Sequence, residues 1–159
     1  FQALDNYPYW LEGTIESLDY ALSYDDKNTT ALCLYGRIHA EQLQDYEGAK
    51  NYFQQAISID IHALEVYPHY IETLLLNEDF EEARKLIDFA LTIKGVKKVE
   101  IKLKLVSLLE RQLAFKKALK LLKKVKLELI VSDHNYQIEE TEKRLNSKLE
   151  TNSKKKKKK

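Results

Sequence analysis

The chain contains 159 residues with a formal net charge of +1 at pH 7, and 44% of its residues are hydrophobic and 32% charged. This balance supports one domain-sized core and excludes a disordered chain or a membrane protein. With only four glycines and two prolines, the chain also has too few turn residues for an all-β fold.

Two further features bear on where the protein works. No apolar run reaches the roughly 18 residues of a transmembrane helix, and the amino terminus lacks the basic and apolar regions of a signal peptide. The single cysteine, Cys33, cannot form an internal disulfide, which agrees with a reducing compartment. We therefore predict a cytoplasmic protein without a membrane span. Because the chain contains no methionine, we do not expect Phe1 to be the translation start.

One pattern of large and small apolar residues recurs along the chain at helical spacing. It is clearest where Tyr46, Ala49, Phe53 and Ala56 follow one another at intervals of three, four and three residues. A weaker copy precedes it and two further copies follow, so that the pattern covers residues 11–21, 46–56, 80–90 and 115–125. The regular spacing of its last position, at 21, 56, 90 and 125, indicates an internal repeat of 34–35 residues.

Each copy after the first is preceded by another stretch with helical periodicity, at about residues 30–43, 63–77 and 98–112. Each repeat is therefore predicted to be a pair of antiparallel helices whose second helix carries the pattern. The predicted repeats are a partial one at 1–28 and complete ones at 29–62, 63–96 and 97–131.

Local signals predict how some of these helices begin. Asp45 and Asp79 stand just before second helices, where an aspartate side chain can accept hydrogen bonds from exposed backbone N–H groups. Glu82, three residues after Asp79, suits the return bond of a capping box. Pro68 falls inside the first helix of the third repeat, so we expect that helix to start late or to kink.

The last predicted element is a capping helix at residues 133–150. Ser132 and Asp133 are candidate N-caps, and Ile138, Leu145 and Leu149 share one helix face. A stack of repeats needs such a helix to cover its last open face. The remaining residues, 151–159, include six consecutive lysines and are expected to form a disordered tail, whether natural or a solubility tag.

These residues resemble the tetratricopeptide repeat, a 34-residue helix–turn–helix, over roughly residues 10–130. Gly36 matches the small residue of the family's first helix, and the alanines of the pattern match the positions where neighbouring helices approach closely. Ile71 and Val106 depart from the pattern at the position of Gly36, and no repeat has the family's closing proline. The resemblance implies an all-α, right-handed superhelix of antiparallel helix pairs with a C-terminal capping helix.

In the resembled family, the first helices line a concave groove that holds a peptide or a partner's helix. Transferred to this chain, the groove positions are Cys33, Arg37, Glu41, Glu65, Glu72, Leu75, Leu76, Glu100, Leu103, Ser107, Glu110 and Arg111. The lysine and asparagine clamp with which some family members hold a chaperone carboxylate is missing. The four glutamates Glu65, Glu72, Glu100 and Glu110 favour a basic and apolar segment of another protein. The alternative is that the chain's own C-terminal helix fills the groove, or that nothing does.

Charge is distributed unevenly along the chain. Residues 1–80 contain three basic and 14 acidic residues, whereas residues 81–153 contain 17 basic and 11 acidic residues. Five lysines lie off the core positions of the fourth repeat's second helix and should form a basic outer face: Lys116, Lys117, Lys120, Lys123 and Lys124. This face is either simply solvated or contacts an anionic partner. It lacks interleaved aromatic residues, which argues against RNA binding.

Sequence motifs for catalysis and cofactor binding are absent. The four histidines, His39, His62, His69 and His134, have no metal-binding spacing, and there is no glycine-rich phosphate loop and no nucleophile motif. We therefore predict no enzyme, no metal and no cofactor, but a protein–protein interaction module or scaffold. Two alternatives remain: a self-assembly module that associates through an open N-terminal face, and an RNA-binding helical repeat, which would need a basic groove.

Overall fold

The computed structural model describes residues 1–129 and 135–157, with side chains described up to residue 155. The structure is 78% helical, and the described residues form nine helices and no strand, which confirms the predicted all-α class. The helices are α1 Gln2–Asn6, α2 Leu11–Tyr24, α3 Thr29–Glu41, α4 Tyr46–Ile59, α5 Val66–Leu76, α6 Phe80–Ala90, α7 Lys98–Arg111, α8 Phe115–Glu128 and α9 Asn135–Lys157. Within the described ranges, no helix is long and apolar enough to cross a bilayer.

The chain divides into two compact units, residues 1–96 and residues 97–159. We call them the N-terminal unit, which contains α1 to α6, and the C-terminal unit, which contains α7 to α9. In the N-terminal unit each helix packs against the next one, and α3 also contacts α5. In the C-terminal unit α8 packs against both α7 and α9.

The small residues of the repeat are buried in the N-terminal unit. Ala49, Ala56, Ala83 and Ala90 are completely inaccessible to solvent. Gly36 of α3 faces the buried ring of Phe53 in α4, and a Cβ atom built on Gly36 would lie 2.5 Å from that ring. The space at Gly36 therefore admits only a small residue, because α3 and α4 approach closely there.

Of the two aspartate side chains predicted to cap second helices, one does so. The Asp45 side chain accepts a hydrogen bond from the Gly48 N–H at 3.0 Å and caps α4. Asp79 precedes α6 but makes no cap hydrogen bond, because its carboxylate accepts from Lys50 at 2.8 Å and from the Asn77 side chain at 2.7 Å. The predicted caps of the last helix, Ser132 and Asp133, and also His134, lie outside the described residues.

The capping box predicted for α6 is also replaced. Glu82 accepts a hydrogen bond from the Tyr70 hydroxyl at 3.2 Å and lies 3.4 Å from the Lys50 ammonium group. The Lys50 side chain of α4 therefore pairs with the two carboxylates that were expected to bond the α6 backbone.

The first helix of the third repeat, α5, was predicted to start late or to kink because of Pro68. It starts late, at Val66, and Pro68 is tolerated in its first turn.

The C-terminal unit has its own apolar core. Its buried members are Leu103, Val106, Phe115, Ala118, Leu122, Val125, Ile138 and Leu145. The residues that α9 contributes, Ile138 and Leu145, are two of the three predicted for the face of the capping helix. α9 continues to Lys157, past residue 150, where the sequence predicted the helix to end and a disordered tail to begin.

Candidate interaction surfaces

The predicted groove positions of the N-terminal unit lie on α3 and at the start and along the length of α5. On α3, Arg37 Nε lies 3.4 Å from Glu41 Oε1, one turn away. The same carboxylate accepts a hydrogen bond from the Tyr7 hydroxyl and lies 3.9 Å from His69 Nδ1 on α5. The Arg37 guanidinium also stacks over the Tyr7 ring, 4.8 Å from its centroid. Glu41 is therefore the point where α3, α5 and the N-terminal segment meet.

Glu65, which immediately precedes α5, contacts two residues in the first half of α3. Its carboxylate accepts a hydrogen bond from the Thr30 hydroxyl at 3.4 Å, and its carbonyl oxygen lies 4.0 Å from the Cys33 sulfur. Cys33 is 4% exposed, and burial, helped by the charge of Glu65, raises the pKa of its thiol to about 12. The Cys33 thiol is therefore neutral and packs in the core, so it offers neither a nucleophile nor a metal ligand.

The two leucines of the predicted groove behave differently. Leu75 is completely buried, whereas the next residue, Leu76, keeps 42% of its surface exposed. Glu72, one turn earlier on α5, is partly exposed. The exposed or partly exposed members are therefore Arg37, Glu41, Glu65, Glu72 and Leu76, and with His69 we call them the α3/α5 surface.

In the C-terminal unit, α9 covers part of the predicted groove. Glu110 of α7 is 8% exposed and accepts two hydrogen bonds from Arg144, at 2.8 and 3.0 Å, and one from Lys148 at 2.7 Å. The hydrogen bonds from Arg144, with a smaller contribution from Lys148, lower the pKa of Glu110. Leu103 is buried in the core of this unit. The side chains of Glu110 and Leu103 are thus already occupied within the chain.

The remaining predicted groove positions on α7 are Glu100, Ser107 and Arg111. The Ser107 hydroxyl donates to the Leu103 carbonyl at 3.2 Å and borders a cleft of about 310 Å³ that α9 closes from the other side. Glu100 is half-buried at the start of α7, and Arg111 is exposed at its end.

The largest cleft described lies in the N-terminal unit, between α1, α2 and α3, and has a volume of about 780 Å³. Exposed aromatic and aliphatic side chains border it, namely Phe1, Leu4, Tyr20 and Tyr24. Sequence reasoning anticipated an open N-terminal face but not these residues. The signal for two of them was the pair Tyr20 and Tyr24, one turn apart on α2 and off the repeat pattern.

The lysines of α8 face solvent as predicted. Lys116, Lys117, Lys120, Lys123 and Lys124 are all exposed, and none forms an ion pair with a described residue. Other lysines of this unit are paired: Lys126 Nζ lies 3.2 Å from Glu142, and Lys102 bonds Glu128. The five outward lysines are therefore the charges of α8 that have no ion-pair partner among the described residues.

The side chains that carry catalytic or metal chemistry are scattered. Within residues 1–129 and 135–157, no group of three or more His, Cys, Asp or Glu side chains could hold a metal ion. His39 Nδ1 lies 2.8 Å from the Asp45 carboxylate, which also bonds Gly48; that backbone hydrogen bond and then His39 lower the pKa of Asp45. This arrangement closes the turn between α3 and α4, so its evident role is structural.

No protein-family model matches the chain, and no curated protein matches it significantly. The candidate surfaces are therefore defined by geometry, burial and charge alone.

Proposed function

We propose that the chain is a tetratricopeptide-like interaction module that binds a basic and apolar peptide or helix of a partner protein on the α3/α5 surface. The observation that carries the proposal is the composition of this surface, which includes the carboxylates of Glu41, Glu65 and Glu72 and the exposed side chain of Leu76. The proposal includes the antiparallel, superhelical stacking of the helix pairs, which is the arrangement that would make the surface concave. It also places the protein in the cytoplasm, where the free thiol of Cys33 would stay reduced.

Contacts at the repeat period support the stacking. Tyr7 bonds Glu41, 34 residues away, and Arg144 bonds Glu110 across the same separation. Thr30 and Glu65 are 35 residues apart. Side chains at equivalent positions of successive repeats therefore touch, as expected when similar helices stack with a constant offset.

Charge supports the choice of a basic partner. The N-terminal unit contains 17 acidic and six basic residues. The α3/α5 surface itself contains three carboxylates, those of Glu41, Glu65 and Glu72, and one guanidinium, that of Arg37, which lies 3.4 Å from Glu41. A lysine or arginine of a partner would be attracted here, whereas an acidic segment would bring like charges together.

Leu76 supplies an apolar contact on the same surface. It lies four residues after Glu72 on α5, which places the two side chains on one face of the helix. A partner segment with a basic residue one helical turn from an apolar residue would therefore satisfy both positions at once.

The proposal is tested by calorimetric titration of matched peptides that carry either basic and apolar or acidic and apolar residues. The basic class should bind and the acidic class should not. Glu72→Lys should weaken binding of the basic class roughly three- to ten-fold. The control is Glu81→Lys, which makes the same charge change at an exposed position of α6 and should leave binding unchanged. Raising the salt concentration should weaken binding, since exposed charges are screened over about 8 Å at physiological ionic strength.

Three outcomes would contradict the proposal. The first is equal affinity for both peptide classes, and the second is an equal loss for Glu72→Lys and Glu81→Lys, which would reveal an effect of net charge alone. The third is unchanged binding of Glu72→Lys with its helix content intact. Circular dichroism of each variant separates loss of binding from loss of fold.

A second candidate function, self-assembly, is favoured by the cleft between α1, α2 and α3. Its exposed border of Phe1, Leu4, Tyr20 and Tyr24 is an apolar and aromatic surface of the kind that protein interfaces use. Light scattering during size-exclusion chromatography measures the mass directly. A monomer of 18.7 kDa at high concentration would exclude this candidate.

A further inference from the structure

The outward face of α8 carries five lysines that form no ion pair with a described residue. Its five exposed lysines fall within nine residues, 116–124, and at 100° per residue they occupy an arc of about 120°. Along the helix axis they extend over about 12 Å. Lysines this close together on one face repel one another, so an anionic partner that lies along the face would relieve the repulsion.

The shape of this face favours an extended partner over a small ligand. The lysines stand on the outer side of α8, whereas Ala118, Leu122 and Val125 hold its inner side in the core. The three clefts described in this protein do not include any of the five lysines among their lining residues. A single phosphate or carboxylate would contact one or two of the lysines at most. A surface that carries many anionic groups would contact all five.

Two exposed leucines identify the kind of surface. Leu113, in the turn just before α8, is 71% exposed, and Leu127, in the last turn of α8, is 86% exposed. They bracket the lysines, and no aromatic side chain stands among them for a nucleic-acid base to stack on. Leucines beside lysines suit the boundary between lipid headgroups and acyl chains.

We propose that this face, which we call the α8 lysine face, docks the protein on the surface of an anionic lipid bilayer. The lysines contact the anionic headgroups, and Leu113 and Leu127 enter the interface at the two ends of the row. The six lysines at 154–159 add a second basic cluster to the same unit. Each further lysine near an anionic membrane surface adds to the attraction, so this cluster would strengthen the docking. The inference is independent of the α3/α5 surface.

The net charge of the whole chain does not decide this docking. At physiological ionic strength, electrostatic interactions decay over about 8 Å, so the charges nearest to the bilayer determine the attraction. The formal net charge of the chain, +1, is therefore a poor guide to its binding. The local array of lysines is the relevant quantity.

The test is co-sedimentation of the full chain with vesicles of phosphatidylcholine alone and of phosphatidylcholine with phosphatidylserine. The chain should bind only the anionic vesicles, and less at high salt. Simultaneous Lys117→Glu, Lys120→Glu and Lys124→Glu should lower the partition coefficient at least about a hundred-fold. The control carries Lys94→Glu, Lys97→Glu and Lys98→Glu, which change the net charge equally at exposed positions outside α8 and should leave most of the binding intact.

A leucine variant separates lipid from other anions. Leu127→Ser leaves every charge in place, and it should lower vesicle binding about ten-fold. The same variant should leave any retention on heparin, an anionic polymer without acyl chains, unchanged.

Several results would overturn the inference. These are equal vesicle binding by the wild type and the α8 triple variant, equal losses in both triple variants, and binding to duplex DNA or RNA without binding to anionic vesicles. If only the lysines at 154–159 held the protein on the vesicles, the wild type and the α8 triple variant would bind equally. If the triple Glu variant loses helix content, the triple Lys→Gln variant at the same positions replaces it, since it removes the charges without adding carboxylates.

Discussion

Gly36→Ala tests the close approach of α3 and α4 with the smallest possible change. The new methyl carbon would lie 2.5 Å from one atom of the Phe53 ring and 2.8 Å from two others. Non-bonded carbons prefer 3.5–4.0 Å, so the ring or the helix must move by about 1 Å. Phe53 is completely buried, and neighbouring side chains therefore prevent the ring from turning away.

The net effect is the difference between two opposing contributions. Overpacking a filled core costs about 1–3 kcal/mol. Alanine in the interior of a helix is favoured over glycine by up to about 1 kcal/mol. We therefore expect Gly36→Ala to destabilise the N-terminal unit by up to about 2 kcal/mol.

Gly13→Ala is the matched control. A Cβ atom on Gly13 would lie 2.6 Å from the Trp10 ring, a contact as close as the one at Gly36. Trp10 is 55% exposed, however, so its ring can move into solvent. The helix-forming advantage of alanine should then dominate, and this variant should be as stable as the wild type or slightly more so.

Urea unfolding followed by the fluorescence of Trp10, the single tryptophan, reports on the N-terminal unit. A double-mutant cycle completes the experiment, because Phe53→Leu removes two of the three ring atoms nearest to the new methyl group. Gly36→Ala should cost at least about 0.5 kcal/mol less in the Phe53→Leu background. Additive effects, or a Gly36→Ala variant more stable than the wild type, would refute the proposed close contact.

Two further predictions concern the core and pH. Ala83→Leu should lower the stability by about 1–3 kcal/mol in urea unfolding, because Ala83 is inaccessible. Ala21→Leu, at the last position of the first copy of the pattern, borders the open cleft and should cost less. The lowered pKa of Glu110 means that its bonds to Arg144 and Lys148 stabilise the folded state above the usual glutamate pKa of 4.5, and that this stabilisation is lost as the pH falls through the lowered folded-state value. Melting temperatures measured across this range should fall less steeply for Glu110→Gln than for the wild type.

Helix positions could be predicted from this sequence because they depend on local information. Helices α4, α6 and α8 each carry the four apolar positions of the pattern over about three turns, and α4 begins within one residue of the expected place because Asp45 caps it. The late start of α5 follows from Pro68, which fits only in a first turn. In each case the residues that decide the structure are within a few positions of one another.

The incorrect prediction at α6 has a non-local cause. Asp79 and Glu82 have the right residue types and spacing for a capping box, and among residues 77–83 only the Asn77 side chain competes for the Asp79 carboxylate. Lys50, 29 residues before Asp79, takes both carboxylates instead. Such an ion pair depends on how α4 lies against α6, which a short-range motif cannot reveal.

The predicted groove positions agree with the structure only in part. The groove positions transferred from the resembled family include Arg37 and Glu41, and the structure shows these two side chains paired with each other. The transfer did not distinguish the buried Leu75 from the exposed Leu76, because neighbouring positions differ by only 100° around the helix. It also could not show that Glu110 is already bonded to Arg144, since that contact joins residues 34 positions apart.

The contacts at the repeat period limit how this chain could have changed by gain or loss of whole repeats. Tyr7, Glu41, Leu76, Glu110 and Arg144 succeed one another at steps of 34 or 35 residues, and bonds form where neighbours in this series are chemically matched, at Tyr7–Glu41 and Glu110–Arg144. Deletion of one repeat by unequal recombination would keep the register but change which residues become neighbours. Loss of the third repeat would remove Leu76 and make Glu41 and Glu110 successive members of the series, two carboxylates one repeat length apart in the sequence. Segments that share the sequence pattern are therefore not interchangeable.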